Sequence, residues 1–91
     1  MPKIFEINGF SVSIWSNENG EPIHVHVSKG RITKNSPKFW LSRHGYFVPA
    51  NDCSRYFKAK ELTRIIEQLN CNAGTIRLFW INYHGYESYY C

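Results

Sequence analysis

The chain is short of cysteine, and what it has is not arranged for a framework. Cys53, Cys71 and Cys91 are odd in number and include no CxxC pair, which excludes a disulfide scaffold and a cysteine-built zinc site and leaves reduced thiols as the expectation. No stretch approaches the roughly 18 consecutive apolar residues of a membrane span. The opening MPKIFEINGF lacks the apolar core and small-residue cleavage site of a secretory leader. A cytoplasmic chain with no membrane association is expected. Internal repeats, low-complexity segments and a phosphate-cradling glycine loop are also missing. No Ser/His/Asp or Cys/His nucleophile arrangement is legible, because none of the cysteines has a placed base.

Acidic residues are scarce where basic ones are dense. Between Glu21 and Glu61, the eight cations Lys29, Arg31, Lys34, Lys38, Arg43, Arg55, Lys58 and Lys60 face Asp52 alone, a net charge of +7, although the whole chain carries only +4. A block of one sign favours a polyanionic partner, since neutralising phosphates releases counterions. A lysine-rich solvated surface explains the same charge without a partner.

The 91 residues, 43% hydrophobic and 20% charged, suit one globular domain spanning 1–91. Asn8-Gly9 between apolar segments predicts a type I′ hairpin joining strands at Lys3 to Ile7 and Phe10 to Ser16. Ile23, Val25 and Val27 alternate with His24, His26 and Ser28, a third strand with its apolar residues on the core side. Lys38 to Ser42 predicts a fourth strand, Phe39 and Leu41 inward and Trp40 on the other face. Tyr46 to Val48 is a candidate fifth. From Ala59 the period turns helical, with Leu62, Ile65, Ile66 and Leu69 at i, i+3, i+4 and i+7, and then Ile76, Phe79, Trp80 and Tyr83. Asn70 or Asn72 divides the two helices and Gly85 ends the second. The run IRLFWI also fits a buried strand. The expected class is α+β: a small antiparallel sheet of four to five strands (about 3–48), followed by two C-terminal helices (about 59–84) packed on one face.

SNENGEPIHVHV, followed by KFWL and later by FWINYHG, is similar to a family of small bacterial proteins known as domain of unknown function 4160. The E-x-P-x-H-x-H-V motif is the most specific part. The motif positions fall on Glu21, Pro22, His24, His26, Val27, Phe39, Trp40, Leu41 and Trp80. The resemblance implies a short α+β domain, often encoded beside a second small protein as in a toxin–antitoxin pair. This chain departs from the family where the first helix usually opens with a serine cap and a proline; Lys58 and Ala59 stand there instead.

His24 and His26 carry the sharpest chemical possibility. On a strand they lie roughly 6.6 Å apart along the chain and point the same way. One imidazole could take a 2′-hydroxyl proton from RNA while the other protonates the leaving oxygen, as a metal-independent ribonuclease requires. Lys29, Arg31, Lys38 and Arg43 would contact phosphates, and Trp40 could stack a base. Metal binding needs a third ligand, for which His44, His84 and Glu21 are the candidates; neither a metal nor another cofactor is part of the main expectation. The plain alternative keeps the pair as hydrogen-bonded structural groups, with Trp15, Phe79 and Trp80 in the core. The functional expectation is one half of a toxin–antitoxin-like module acting on or binding RNA, with a cognate small protein or a second copy as partner. The alternative is a non-catalytic protein- or DNA-binding module whose histidine face docks a partner.

Overall fold

The computed structural model describes residues 3–7, 9–14, 20–29, 36–50 and 53–90. Five antiparallel strands lie side by side in chain order: β1 (Lys3–Ile7), β2 (Phe10–Ser13), β3 (His24–Ser28), β4 (Lys38–Leu41) and β5 (Phe47–Pro49). A short 3-10 turn, Cys53–Arg55, leads into helices α1 (Ala59–Cys71) and α2 (Ala73–His84). This is the α+β arrangement the sequence pattern predicts, with the fifth strand one residue later than expected and β2 ending at Ser13. At the first hairpin Ile7 pairs with Phe10, and Gly9 sits at φ 87°, a conformation that glycine adopts without a Cβ clash. Asn8, Trp15, Arg31, Lys34 and Cys91 lie outside the described residues, as does most of the predicted turn from Asn17 to Glu21.

The period of two sets the core. Val12 pairs with Val27, Val25 with Phe39 and Leu41 with Phe47, so these six side chains share one face, and all are buried. Phe57 closes over that face with its ring 5.4 Å from Phe10 and 6.3 Å from Phe39. Ile65 and Leu69 of α1 are fully buried in the same cluster, with Leu62 and Ile66 packed against it. Burial of each such side chain stabilises by about 1.5–3 kcal/mol. The edge strand is tied to the helix as well: the Phe47 N–H donates to Asn70 Oδ1 at 2.7 Å, which occupies a donor that an open sheet edge would expose.

α1 begins at Ala59 although no serine or proline marks the place. Glu61, three residues beyond Lys58, reaches back so that its carboxylate accepts the Lys58 backbone N–H at 2.9 Å, half of a capping box. That hydrogen bond, reinforced by Lys29, holds the Glu61 carboxyl below its ordinary value. Asn72 serves both helices: its N–H closes α1 on the Gln68 and Leu69 carbonyls, and its own carbonyl accepts the Ile76 N–H to open α2. Gly85, at φ 79°, ends α2 with its N–H on the Ile81 carbonyl at 2.7 Å, the left-handed stop expected of glycine.

IRLFWI is therefore helical, but its buried stripe is shorter than the spacing suggested. Ile76 and Trp80 are fully buried, Phe79 is partly covered, and Tyr83 is 46% exposed. Trp80 is the last residue of α2 in the buried core cluster among the described residues, and the Tyr83 ring meets the edge of His84 at 5.5 Å. Cysteine placement also divides: Cys53 is buried and Cys71 exposed. Among the described residues no helix is long and apolar enough to cross a membrane.

Candidate functional site

Register confirms that His24 and His26 share a face with Trp40, because His24 pairs with Trp40 and His26 with Lys38. That face is not open. Both histidines have 0% exposure, and their rings lie 5.3 Å apart at 73°. The His24 Nδ1 stands 2.9 Å from the Pro22 carbonyl oxygen and the His26 Nδ1 2.9 Å from that of Ser36. A carbonyl only accepts, so each Nδ1 carries the hydrogen and donates it. These bonds fix both tautomers and pin the segments on either side of β3.

Aromatic rings pack against His24. Trp40 is 4.9 Å and Trp80 5.2 Å from the His24 ring. Tyr90 stacks on Trp40 at 5.7 Å and 18°, and His84 lies 4.1 Å from Trp80. The residues after α2 hold this cover in place. The Ile23 N–H donates to the Ser88 carbonyl, the Tyr90 N–H donates to the Leu41 carbonyl, and Ser42 bridges to Tyr90. The Tyr86 hydroxyl donates to the Glu21 carbonyl at 2.9 Å and accepts the Gly20 N–H at 2.8 Å. Sequence reasoning missed this segment because GYESYY has neither strand nor helix period. Its density of tyrosine, a residue that buries a ring and still satisfies a hydroxyl, was the available signal.

The predicted phosphate contacts are dispersed. Lys29 pairs with Glu61 at 3.1 Å and Lys38 with Glu21 at 3.2 Å, and Lys38 also sits 5.2 Å above the Trp40 ring. Arg43 is exposed on the turn between β4 and β5. The structure thus brings His24, His26, Trp40 and Lys38 together and leaves Lys29 and Arg43 elsewhere. His44 is exposed and stacked with Tyr46 at 6.1 Å. No group of three or more metal-ligating side chains occurs among the described residues.

A second constellation lies where the 3-10 turn enters α1. Arg55, Lys58, Lys60 and Arg64 are all exposed, and none is in an ion pair among the described residues. Lys60 and Arg64, four apart on α1, share a side of the helix. Tyr56, 50% exposed, lines a cleft of 150 Å³ with Val27, Pro37 and Phe57, and Lys29 stands at its rim. In sequence Arg55, Lys58 and Lys60 were counted within the basic block and Arg64 lies just beyond it; all four fall with Tyr56 in the stretch 55–64.

No curated protein and no solved structure matches the chain. The family model Domain of unknown function (DUF4160) matches residues 9–80, a span running from the first hairpin turn to Trp80, and the chain belongs to that family.

Proposed function

We propose that the domain is the RNA-binding half of a toxin–antitoxin-like module in the cytoplasm, paired with a cognate small protein, and that it engages RNA as a ligand rather than cutting it. The observation that carries this reading is the exposed set Arg55, Lys58, Lys60 and Arg64 in the same stretch of chain as the exposed ring of Tyr56. Cations that track a backbone next to a ring on which a base can stack are the elements of single-strand recognition. The burial of His24 and His26 supports a binding role, since a general acid or base must come within hydrogen-bond reach of the reacting group.

The test is fluorescence anisotropy with a labelled single-stranded RNA across a salt series. Four phosphate contacts predict a slope of about −3 in log K against log salt. Reversing Lys60 and Arg64 to glutamate should flatten the slope by about half, and Tyr56→Ala should weaken binding by about 1–3 kcal/mol. Salt-independent binding, or affinity unmoved in both variants, would overturn the reading.

Cleavage is the second reading, favoured by the 5.3 Å approach of the two rings. It requires the cover of Trp40, Trp80 and Tyr90 to lift. RNA lost in chelator with wild-type protein and preserved with His24→Ala/His26→Ala would establish it.

A further inference from the structure

A different cleft, of 260 Å³, opens between the β4–β5 turn and the start of α2, with Ser42, Arg43, Gly74, Arg77 and Tyr89 among its walls. The turn is tight: the Ser42 N–H donates to the Tyr46 carbonyl, the Gly45 N–H returns to the Ser42 carbonyl, and Gly45 sits at φ 90°. That geometry holds the Arg43 side of the turn next to α2. Gly74 and Arg77 come from the first turns of α2, whose leading N–H groups have no helical carbonyl to receive them. The cap residue does not satisfy them either: Asn72 makes no side-chain cap bond, and its amide donates instead to the Gln68 carbonyl at 2.7 Å. The first turn also holds no acid. Independently of the helix, Ser42 is 4% exposed, forms part of the cleft wall, and has a hydroxyl with no hydrogen-bond partner among the described residues. A buried hydroxyl left this way costs free energy unless a partner arrives.

We propose that this cleft binds a phosphate monoester, held between the Arg43 and Arg77 guanidinium groups and the first N–H groups of α2. Two guanidinium groups at a helix N-terminus match the charge and the several acceptor oxygens of a phosphate. A carboxylate already stands at one of them: Glu87 Oε2 lies 3.5 Å from Arg77 Nη1 and Glu87 Oε1 accepts the Tyr89 hydroxyl at 2.8 Å. Both members of that ion pair are 41–47% exposed, so the pair is weak and a dianion displaces it. The site shares no residue with the Tyr56 cleft and its existence does not depend on RNA binding there. What it adds is recognition of a terminal phosphate, on a free small molecule or at the end of a nucleic acid chain.

The test is amide NMR of the full chain titrated with inorganic phosphate at constant ionic strength, with chloride as control. Saturable shifts at Ser42, Ala73 and Gly74 are expected. Arg43→Ala should weaken binding about tenfold, the loss of one charge-assisted contact, and Glu87→Gln should tighten it. Gly74→Asp is the decisive variant. Nothing lies within 4 Å of a Cβ at that position and an acid in the first turn favours the helix, so the thermal midpoint should hold while phosphate shifts vanish. Adenosine monophosphate and oligoribonucleotides with 5′-phosphate or 5′-hydroxyl ends then separate the sources. A 5′-phosphate preference marks a chain end, and binding of the mononucleotide without that preference marks a small molecule. Absence of saturable shifts at these amides, or shifts retained in folded Gly74→Asp, overturns the site. RNA binding with 5′-hydroxyl ends would be unaffected by that failure, so the Tyr56 surface is judged separately.

Discussion

Replacing His26 by alanine should cost this domain a large part of its stability, and the comparison with asparagine and glutamine shows why. The ring is fully buried and its Nδ1 donates to the Ser36 carbonyl at 2.9 Å. Truncation leaves a cavity where the imidazole packed, about 2–3 kcal/mol by analogy with large-to-small core changes. It also takes the His26 donor away from a buried carbonyl oxygen, about 1–3 kcal/mol. The two terms overlap, so the expected loss is about 3–5 kcal/mol, against a total of about 5–15 kcal/mol for an ordinary domain. At about 1–3 kcal/mol per molar urea, the unfolding midpoint should fall by about 2 M. His26→Asn places an amide N–H close to where Nδ1 stands and should recover about 1 kcal/mol of the loss; His26→Gln, whose amide lies one bond farther out, should recover less. Urea titration followed by tryptophan fluorescence reads all three. A loss under about 1 kcal/mol for alanine, or glutamine outperforming asparagine, would refute the argument that a buried Nδ1–H bond to a carbonyl is what holds this position.

Gly85→Ala should lower stability by about 1–2 kcal/mol, because φ 79° is left-handed and an added Cβ meets its own backbone there rather than a neighbour; thermal melting checks it. Trp80→Ala should cost about 3–5 kcal/mol and, in addition, raise hydrogen exchange at the Ile23 and Tyr90 amides, whose segment packs over the same rings. Glu61→Gln should remove a pH-dependent part of stability. The folded carboxyl sits below its ordinary value of 4.5, so the contribution is complete above that value and is lost as pH falls through the folded one. Wild-type and variant melting curves should therefore converge in acid and separate above pH 5; equal separation at every pH would sink the assignment. In a Cys91→Ser background, Cys71 should react with a thiol reagent in the native state and Cys53 only on unfolding.

The alternation of Val25, Val27, Phe39 and Leu41 determined by itself that β3 and β4 would present one apolar face, and the spacing of Leu62, Ile65, Ile66 and Leu69 determined α1. Gly9 and Gly85 marked their turns because positive φ is a local demand that few residues meet. Period two also put His24, His26 and Trp40 on a common face. Whether that face met water was not a local property. It depended on Ser36, on Trp80 from α2 and on the Tyr86–Tyr90 segment; the period of α2 placed Trp80 on a buried stripe, but nothing in the sequence said which face of the sheet that stripe would cover. The pairing of Lys29 with Glu61 and of Lys38 with Glu21, and the meeting of Arg43 with Arg77 across a cleft, were likewise decided only by tertiary structure. Side chains far apart along the chain acquire a common field only once packing brings their backbones together.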